Sequence, residues 1–261
     1  MNIIVCIKQV PDNAQVKMDA GTGTLKLDGV QRILNPFDEY ALEEGLRIRE
    51  KHTGKVTLLS MGPEEAVSAL REGLSLGADE AVLCCDSAFD HSDTNATAKI
   101  LAKAIGKIGA VDIVLLGKQT MDSDTAQVGP QLAVHLGFPA VMYVKKMEEI
   151  GAGAAKIHRM TEEGHDVMQC PLPAVFGTVK EINAPRLPTL KGKLRAKDAV
   201  IPKWSASDLV ILPDSVGQGG SGVTVAQIIS PPKRPPGKVL RGDAAAMVEE
   251  LIAELRVRQL L

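Results

Sequence analysis

With 261 residues, 45% of them hydrophobic and 24% charged, the chain has the make-up of an ordinary globular protein, long enough for one large domain with an appendage. Its 30 Lys and Arg against 32 Asp and Glu leave a net charge of −2, which speaks against a nucleic-acid footprint or a polybasic membrane anchor. No apolar run approaches the roughly 18 residues of a bilayer span, and the start MNIIVCIKQV carries Lys8 and no small-residue cleavage site, so a cytoplasmic setting is expected.

The first 140 residues alternate strand-length apolar runs with helical segments. Ile3–Lys8, Val56–Met61, Glu80–Cys85 and Val111–Gly117 are continuous apolar runs of the kind found in a parallel sheet covered on both faces. After the first run, VKMDAGTGTLKLDG (16–29) alternates and turns around Gly21-Thr22-Gly23, which predicts a small hairpin. Asn35 is placed to cap a helix whose first position is Pro36, with Asp38 and Glu39 favourable to its dipole and Ala41, Leu42, Gly45, Leu46 and Ile48 on its apolar face. A second helix follows Gly62-Pro63-Glu64-Glu65 and stops near Gly77; a third, capped by Asp93 or Thr94, carries Ile100, Leu101, Ala104, Ile105 and Ile108. A fourth covers about Gln131–Leu136.

After Pro139 the pattern changes. AVMYVKKMEEI, AAKIHRM, HDVMQC and AVFGTVKEI read as antiparallel strands over about 140–180 that continue or flank the sheet. Residues 183–236 are rich in Pro and Gly, and Ala244–Leu260 forms an amphipathic helix. The expected organisation is a doubly wound, mostly parallel, Rossmann-like α/β domain over 1–182, with a long arm over 183–261 that packs on a partner.

Aromatic residues are only 3%, so the core is aliphatic. Cys6, Cys84, Cys85 and Cys170 form no C-x-x-C pair, and they read as buried structural thiols rather than metal ligands. There is no G-x-G-x-x-G after the first strand, no phosphate-binding P-loop and no nucleophile elbow, and the five histidines stand apart from any obvious carboxylate–nucleophile set. In a doubly wound sheet, ligands bind beyond the carboxyl ends of the strands. There the sequence offers Gly117-Lys118-Gln119-Thr120-Met121-Asp122-Ser123-Asp124-Thr125-Ala126-Gln127-Val128-Gly129-Pro130-Gln131. Backbone N–H groups at Thr125, Ala126, Gln127 and Val128 would face a phosphate at the helix start, and Gly129 would let a bulky anion approach. Asp122 and Asp124 suit a helix cap as well as they suit a ribose hydroxyl, so a capped helix without a ligand remains open at this point.

These residues, with Val5-Cys6-Ile7-Lys8-Gln9-Val10-Pro11-Asp12, Asn35-Pro36-Phe37-Asp38, Ser60-Met61-Gly62-Pro63, Leu76-Gly77-Ala78-Asp79 and Gly117-Lys118-Gln119, occur in the order found in the β subunit of electron-transfer flavoprotein. The chain resembles that family along essentially its whole length. The resemblance implies an adenine-nucleotide α-hydrolase-like sheet and a heterodimer with an α subunit that holds one FAD. It implies a nucleotide site in this chain lined by Cys6, Asn35, Pro36, Phe37, Asp38, Met61 and the run Thr120–Gln131, with Gln119 beside it. It also implies a partner-recognition loop with Leu190 as its anchoring leucine, in Pro188-Thr189-Leu190-Lys191. No side chain is expected to act as a catalytic acid or base.

The family's second site holds either a structural AMP or a second FAD. The loop Asp122–Pro130 and the run Asp93-Thr94-Asn95-Ala96-Thr97 are similar to members that bind FAD and bifurcate electrons. In those members a flavin accepts hydride from NADH. One electron then passes to ferredoxin or flavodoxin, and the other passes through the α subunit's FAD to an acyl-CoA dehydrogenase or a quinone-linked acceptor. Thr94, Thr97 and Thr125 would line the longer cofactor. The alternatives are a conventional electron carrier with AMP, a stand-alone adenine-nucleotide sensor, and an adenylating enzyme, for which no catalytic signature is found.

Overall fold

Apolar strand runs separated by capped helices build the first half of the chain. β1 (Asn2–Cys6) is buried at four of its five positions. The long connection after it forms β2 (Gln9–Pro11), β3 (Lys17–Met18), β4 (Leu25–Lys26) and β5 (Arg32–Leu34) as two nested antiparallel ladders, β2 with β5 and β3 with β4. The expected hairpin is therefore present, although its turn at Gly21-Thr22-Gly23 lies outside the described residues; the computed structural model describes residues 1–19, 25–151, 153–226, 228–229 and 234–261.

α1 (Pro36–His52), β6 (Lys55–Met61), α2 (Val67–Leu76), β7 (Glu80–Cys84), α3 (Thr94–Ile108), β8 (Ile113–Gly117) and α4 (Val128–Leu136) follow in strict alternation. Pro36 holds the first turn of α1, where its missing N–H breaks no helical bond. Gly77 and Gly137 end α2 and α4 with positive φ, which a glycine adopts without steric cost. α4 begins three residues earlier than the sequence suggests, because Pro130 falls inside its first turn.

β9 (Ala140–Ile150), β10 (Ala154–Met160) and β11 (His165–Pro171) form an antiparallel meander, as expected. β12 (Ala174–Thr178) differs from the expectation. It lies between β8 and β9, parallel to both, and all five of its residues are buried, so its unbroken apolar run AVFGT belongs to a sheet covered on both faces. The sheet order is β11-β10-β9-β12-β8-β1-β6-β7, with β13 (Lys203–Trp204) at the far edge. Among the described strands of this sheet, β10 is the one whose direction is reversed, antiparallel to β9 and to β11.

Two cores flank this sheet. Ile3, Val5, Val56 and Leu58 meet Leu42, Leu46, Leu70 and Leu74 of α1 and α2 on one face. Ile4, Leu59, Val82 and Val114 meet Ile100, Leu101, Ile105 and Leu132 of α3 and α4 on the other. Since α1 follows β1 and α4 follows β8, the connections leave these two adjacent strands toward opposite faces. In a doubly wound sheet such a divergence leaves a crevice at the carboxyl ends of the strands.

The compact unit extends beyond the expected boundary at residue 182, to Gln227. α5 (Leu190–Asp198) packs on α2 and buries Ala196, while Ala206, Leu209, Ile211 and Val216 enter the α3 face. The short α6 (Gly217–Gly220) follows. Residues 228–261 form a second unit. Its α7 (Ala244–Val257) has no buried residue, and Lys238 pairs with Glu250 and Glu254. No helix among the described residues is long and apolar enough to cross a membrane.

Candidate functional site

The crevice is built by two buried polar side chains at the N-terminus of α1, Asn35 just before it and Asp38 in its first turn. Asp38 is only 3% exposed. Its Oδ2 accepts the Lys8 N–H at 2.8 Å and its Oδ1 accepts the Gly117 N–H at 3.0 Å, which ties the end of β1 to the end of β8. Burial pushes the Asp38 carboxyl up to about 7, although the Lys8, Asn35 and Gly117 hydrogen bonds favour the anion. Gly117 is required by this approach, because a Cβ there would lie 2.6 Å from Asp38 Oδ1 and 2.7 Å from Phe37.

Asn35 is wholly buried. It does not cap α1. Its Nδ2 donates to the Gln119 carbonyl at 3.0 Å and its Oδ1 accepts the Met121 N–H at 3.1 Å, so the side chain grips the loop after β8 instead. A buried amide that finds both partners on one loop fixes that loop more firmly than a solvent-exposed cap would. Further bonds complete the loop: Asn13 Nδ2 donates to the Met121 carbonyl at 2.5 Å, Thr120 and Ser123 share a hydroxyl bond of 2.9 Å, and the Gln119 amide donates to Asp124. Lys8 Nζ meets Asp122 Oδ2 at 2.6 Å across the crevice. Burial works to raise the Asp122 carboxyl, but the bond and charge of Lys8, with hydrogen bonds from Thr120 and the backbone, together outweigh it and hold the group below its usual value.

Asp124 and Ala126 are left-handed, with φ of 53° and 54°, a strained conformation for residues with a Cβ that concentrates at ligand sites. Among the described residues, the N–H groups of Thr125, Ala126, Gln127, Val128 and Gly129 have no protein acceptor; the first helical bond runs from Gln131 N–H to the Gln127 carbonyl at 3.1 Å. Gln131 also keeps a buried Oε1 with no donor. Free donors with an orphaned acceptor beside them, at a helix start carrying the positive end of the dipole, suit a phosphate that carries a hydroxyl-bearing sugar.

The other expected site residues fall into three groups. Pro36 and Phe37 open α1 at the crevice, and Lys118 Nζ lies 5.4 Å above the Phe37 ring. Cys6 and Met61 end β1 and β6 on the α3 face, and burial raises the Cys6 thiol far above its usual range. Asp93, Thr94 and Thr97 start α3. Asp93 Oδ1 caps that helix through the Ala96 N–H at 2.8 Å, while Oδ2 accepts the Gly222 N–H at 2.8 Å and the Val223 N–H at 3.3 Å. Asp93 therefore fastens residues 222–223 to α3. Thr94 Oγ1 donates to Gln127 Oε1 at 3.1 Å and so joins α3 to the crevice loop, while Thr97 is half-buried one turn on.

Gly129 calls for a correction. A Cβ there would meet Met142 Sδ at 2.9 Å and Leu116 Cδ1 at 3.1 Å, so the missing side chain makes room for α4 on the sheet rather than for an anion, while the Gly129 N–H stays among the free amides. Lys8 and Asn13 join the site although they are not among the residues expected there. Lys8 stands directly after the first strand, where ligands of this fold bind, and that position was a legible signal. Among the described residues, no three His, Cys, Asp or Glu are arranged to hold a metal ion.

Leu190 opens α5 and is 76% exposed, beside Leu187 and Leu194. Thr189 Oγ1 caps the helix through the Gly192 N–H at 3.0 Å. Arg186 locks the approach to it, meeting Glu43 at 2.8 Å and Glu50 at 2.5 Å on α1. Arg195 donates to the Leu74 and Ala78 carbonyls at 2.9 and 2.7 Å. The base of this arm is rigid and its leucines face outward.

Architecture and site together define a doubly wound α/β domain with a run of unpartnered backbone N–H groups at the switch point between β1 and β8. A family model described as electron transfer flavoprotein domain matches residues 22–209. The chain is 44% identical to the electron transfer flavoprotein subunit beta of Thermoanaerobacterium thermosaccharolyticum, with the whole of both chains covered. It is 40% identical to the caffeyl-CoA reductase-Etf complex subunit CarD of Acetobacterium woodii, again over both whole chains, and 41% identical to the protein FixA of Azorhizobium caulinodans over 99% of this chain and 95% of that one. The chain belongs to the electron-transfer flavoprotein family, as a β subunit.

Proposed function

We propose that this chain pairs with an electron-transfer flavoprotein α subunit, binds a second FAD in the switch-point crevice, and takes part in electron bifurcation from NADH. The low-potential electron would go to ferredoxin or flavodoxin and the other, through the α subunit, to an acyl-CoA dehydrogenase or quinone-linked acceptor. The observation that carries the nucleotide is the run of unpartnered amides at 125–129 beside the orphaned Gln131 Oε1. Likeness to a subunit of a caffeyl-CoA reductase-Etf complex supports the bifurcating type.

The redox chemistry would be supplied by the flavin ring. The chain's own residues do the positioning: Asn35 and Asp38 hold the crevice loop, the amides of 125–129 take the phosphate, and the Gln131 carbonyl accepts from a sugar hydroxyl. Leu190, with Leu187 and Leu194, offers an acceptor an apolar contact on a rigid base.

A second reading, AMP in the same cradle, is favoured by one observation. The Thr94 hydroxyl is committed to Gln127 Oε1, which leaves one donor fewer for a second phosphate. Extraction of the co-purified heterodimer decides between them: two flavins without AMP support the FAD reading, and one flavin with AMP overturns it. Reduction of ferredoxin by NADH that depends on the downhill acceptor tests the bifurcation.

A further inference from the structure

The crevice loop carries two carboxylates just before its free amides, and either would repel a phosphate held there. Asp124 is bonded to the neutral amide of Gln119, which leaves its charge in place. Asp122 is paired with a cation, Lys8 Nζ at 2.6 Å. The Lys8 main chain is itself anchored, because its N–H donates to the buried Asp38, so the ammonium is delivered from the rigid end of β1. The other cation in the crevice is Lys118. Its ammonium rests over Phe37 and, among the described residues, meets no carboxylate.

We propose that Lys8 determines whether the crevice accepts a phosphate by neutralising Asp122, as a charge-balancing and positioning residue rather than as a phosphate ligand. The proposal rests on the nucleotide reading above. Without Lys8, the loop would present two uncompensated carboxylates to the incoming anion. A direct ligand would behave differently: its loss could not be repaired by discharging Asp122.

The test uses the heterodimer freed of bound nucleotide, with AMP and adenosine as probes in calorimetric titrations at fixed ionic strength. Lys8→Met is expected to weaken AMP about tenfold or more while leaving adenosine unchanged, since adenosine carries no phosphate. Asp122→Asn should bind AMP at least as well as the parent. The double variant Lys8→Met/Asp122→Asn should return to within about threefold of the parent. The proposal is overturned if Lys8→Met leaves AMP binding intact, if it weakens adenosine equally, or if the double variant binds AMP as poorly as Lys8→Met alone. A parent protein that binds no AMP at all would instead sink the nucleotide reading, and this proposal with it. The Lys8 side chain is 42% exposed and its backbone bond to Asp38 survives substitution, so the variants are expected to fold.

Discussion

The crevice at the end of β1 and β8 and the arm around Leu190 are both pinned to α1, yet they present opposite chemistry. In the crevice, Asn35 and Asp38 are buried and turn their polar atoms onto backbone N–H and C=O groups, which leaves the loop's own amides free. In the arm, Arg186 and Arg195 hold the backbone while Leu187, Leu190 and Leu194 stand in solvent. A small ligand is recognised by fixed donors in a recess, whereas a large partner is recognised by apolar area on a rigid edge. The two surfaces fit the two kinds of contact that an electron carrier makes.

Truncating the crevice's anchors should be the most damaging change. Asp38→Ala leaves the Lys8 and Gly117 N–H groups unpaired in a buried setting and should lower unfolding free energy by about 3 kcal/mol, read by urea denaturation. A loss below about 1 kcal/mol would mean that Asp38 does not tie the strands. The same carboxyl gives a pH signature. Its folded value is raised from 3.8 to about 7, so the folded state holds the proton more tightly. Its stabilising contribution is therefore complete below about pH 4 and is lost as pH rises through about 7, at most about 1.4 kcal/mol per pH unit. Asp38→Asn should flatten that slope. Asp122, lowered on balance, acts in the opposite sense, losing stability only as pH falls below the usual carboxylate range.

On the arm, Arg186→Ala strips a partner from Glu43, whose side chain is 5% exposed, and leaves only Arg47 at 2.7 Å. A loss of about 2–3 kcal/mol is expected, partly recovered at acid pH where Glu43 protonates; indifference to pH would refute the buried-charge explanation. Ala126→Gly should stabilise by about 0.5–1 kcal/mol, because glycine removes the cost of the left-handed backbone. Leu190→Ala should stay within about 0.5 kcal/mol of the parent in chemical denaturation while slowing electron transfer to the acceptor. If instead it unfolded the protein, Leu190 would be a core residue and the contrast between the two regions would fail.

Much of this was legible in the residues. Continuous apolar runs identified β1, β6, β7 and β8 as strands buried on both faces, and Pro36, Asp93, Gly77 and Gly137 marked helix ends through backbone chemistry that acts locally. The crevice loop was located as well, because it joins an apolar strand to a helix. What Asn35 and Gly129 do was not legible. A cap and a loop clamp call for the same residue type, and a glycine that admits an anion looks the same as one that admits Met142.

The sequence by itself determined the alternation of strands and helices, since hydrophobic period and capping chemistry operate within a few residues. Only the tertiary structure decided that β12 returns between β8 and β9, that residues 183–222 close over the chain's own helices and sheet, and that Lys8 reaches Asp122. Those outcomes depend on contacts between residues more than 30 positions apart, and for the ion pair 114 apart. No local pattern records which distant surface a segment will cover, because that choice is made by the shape of the core already formed.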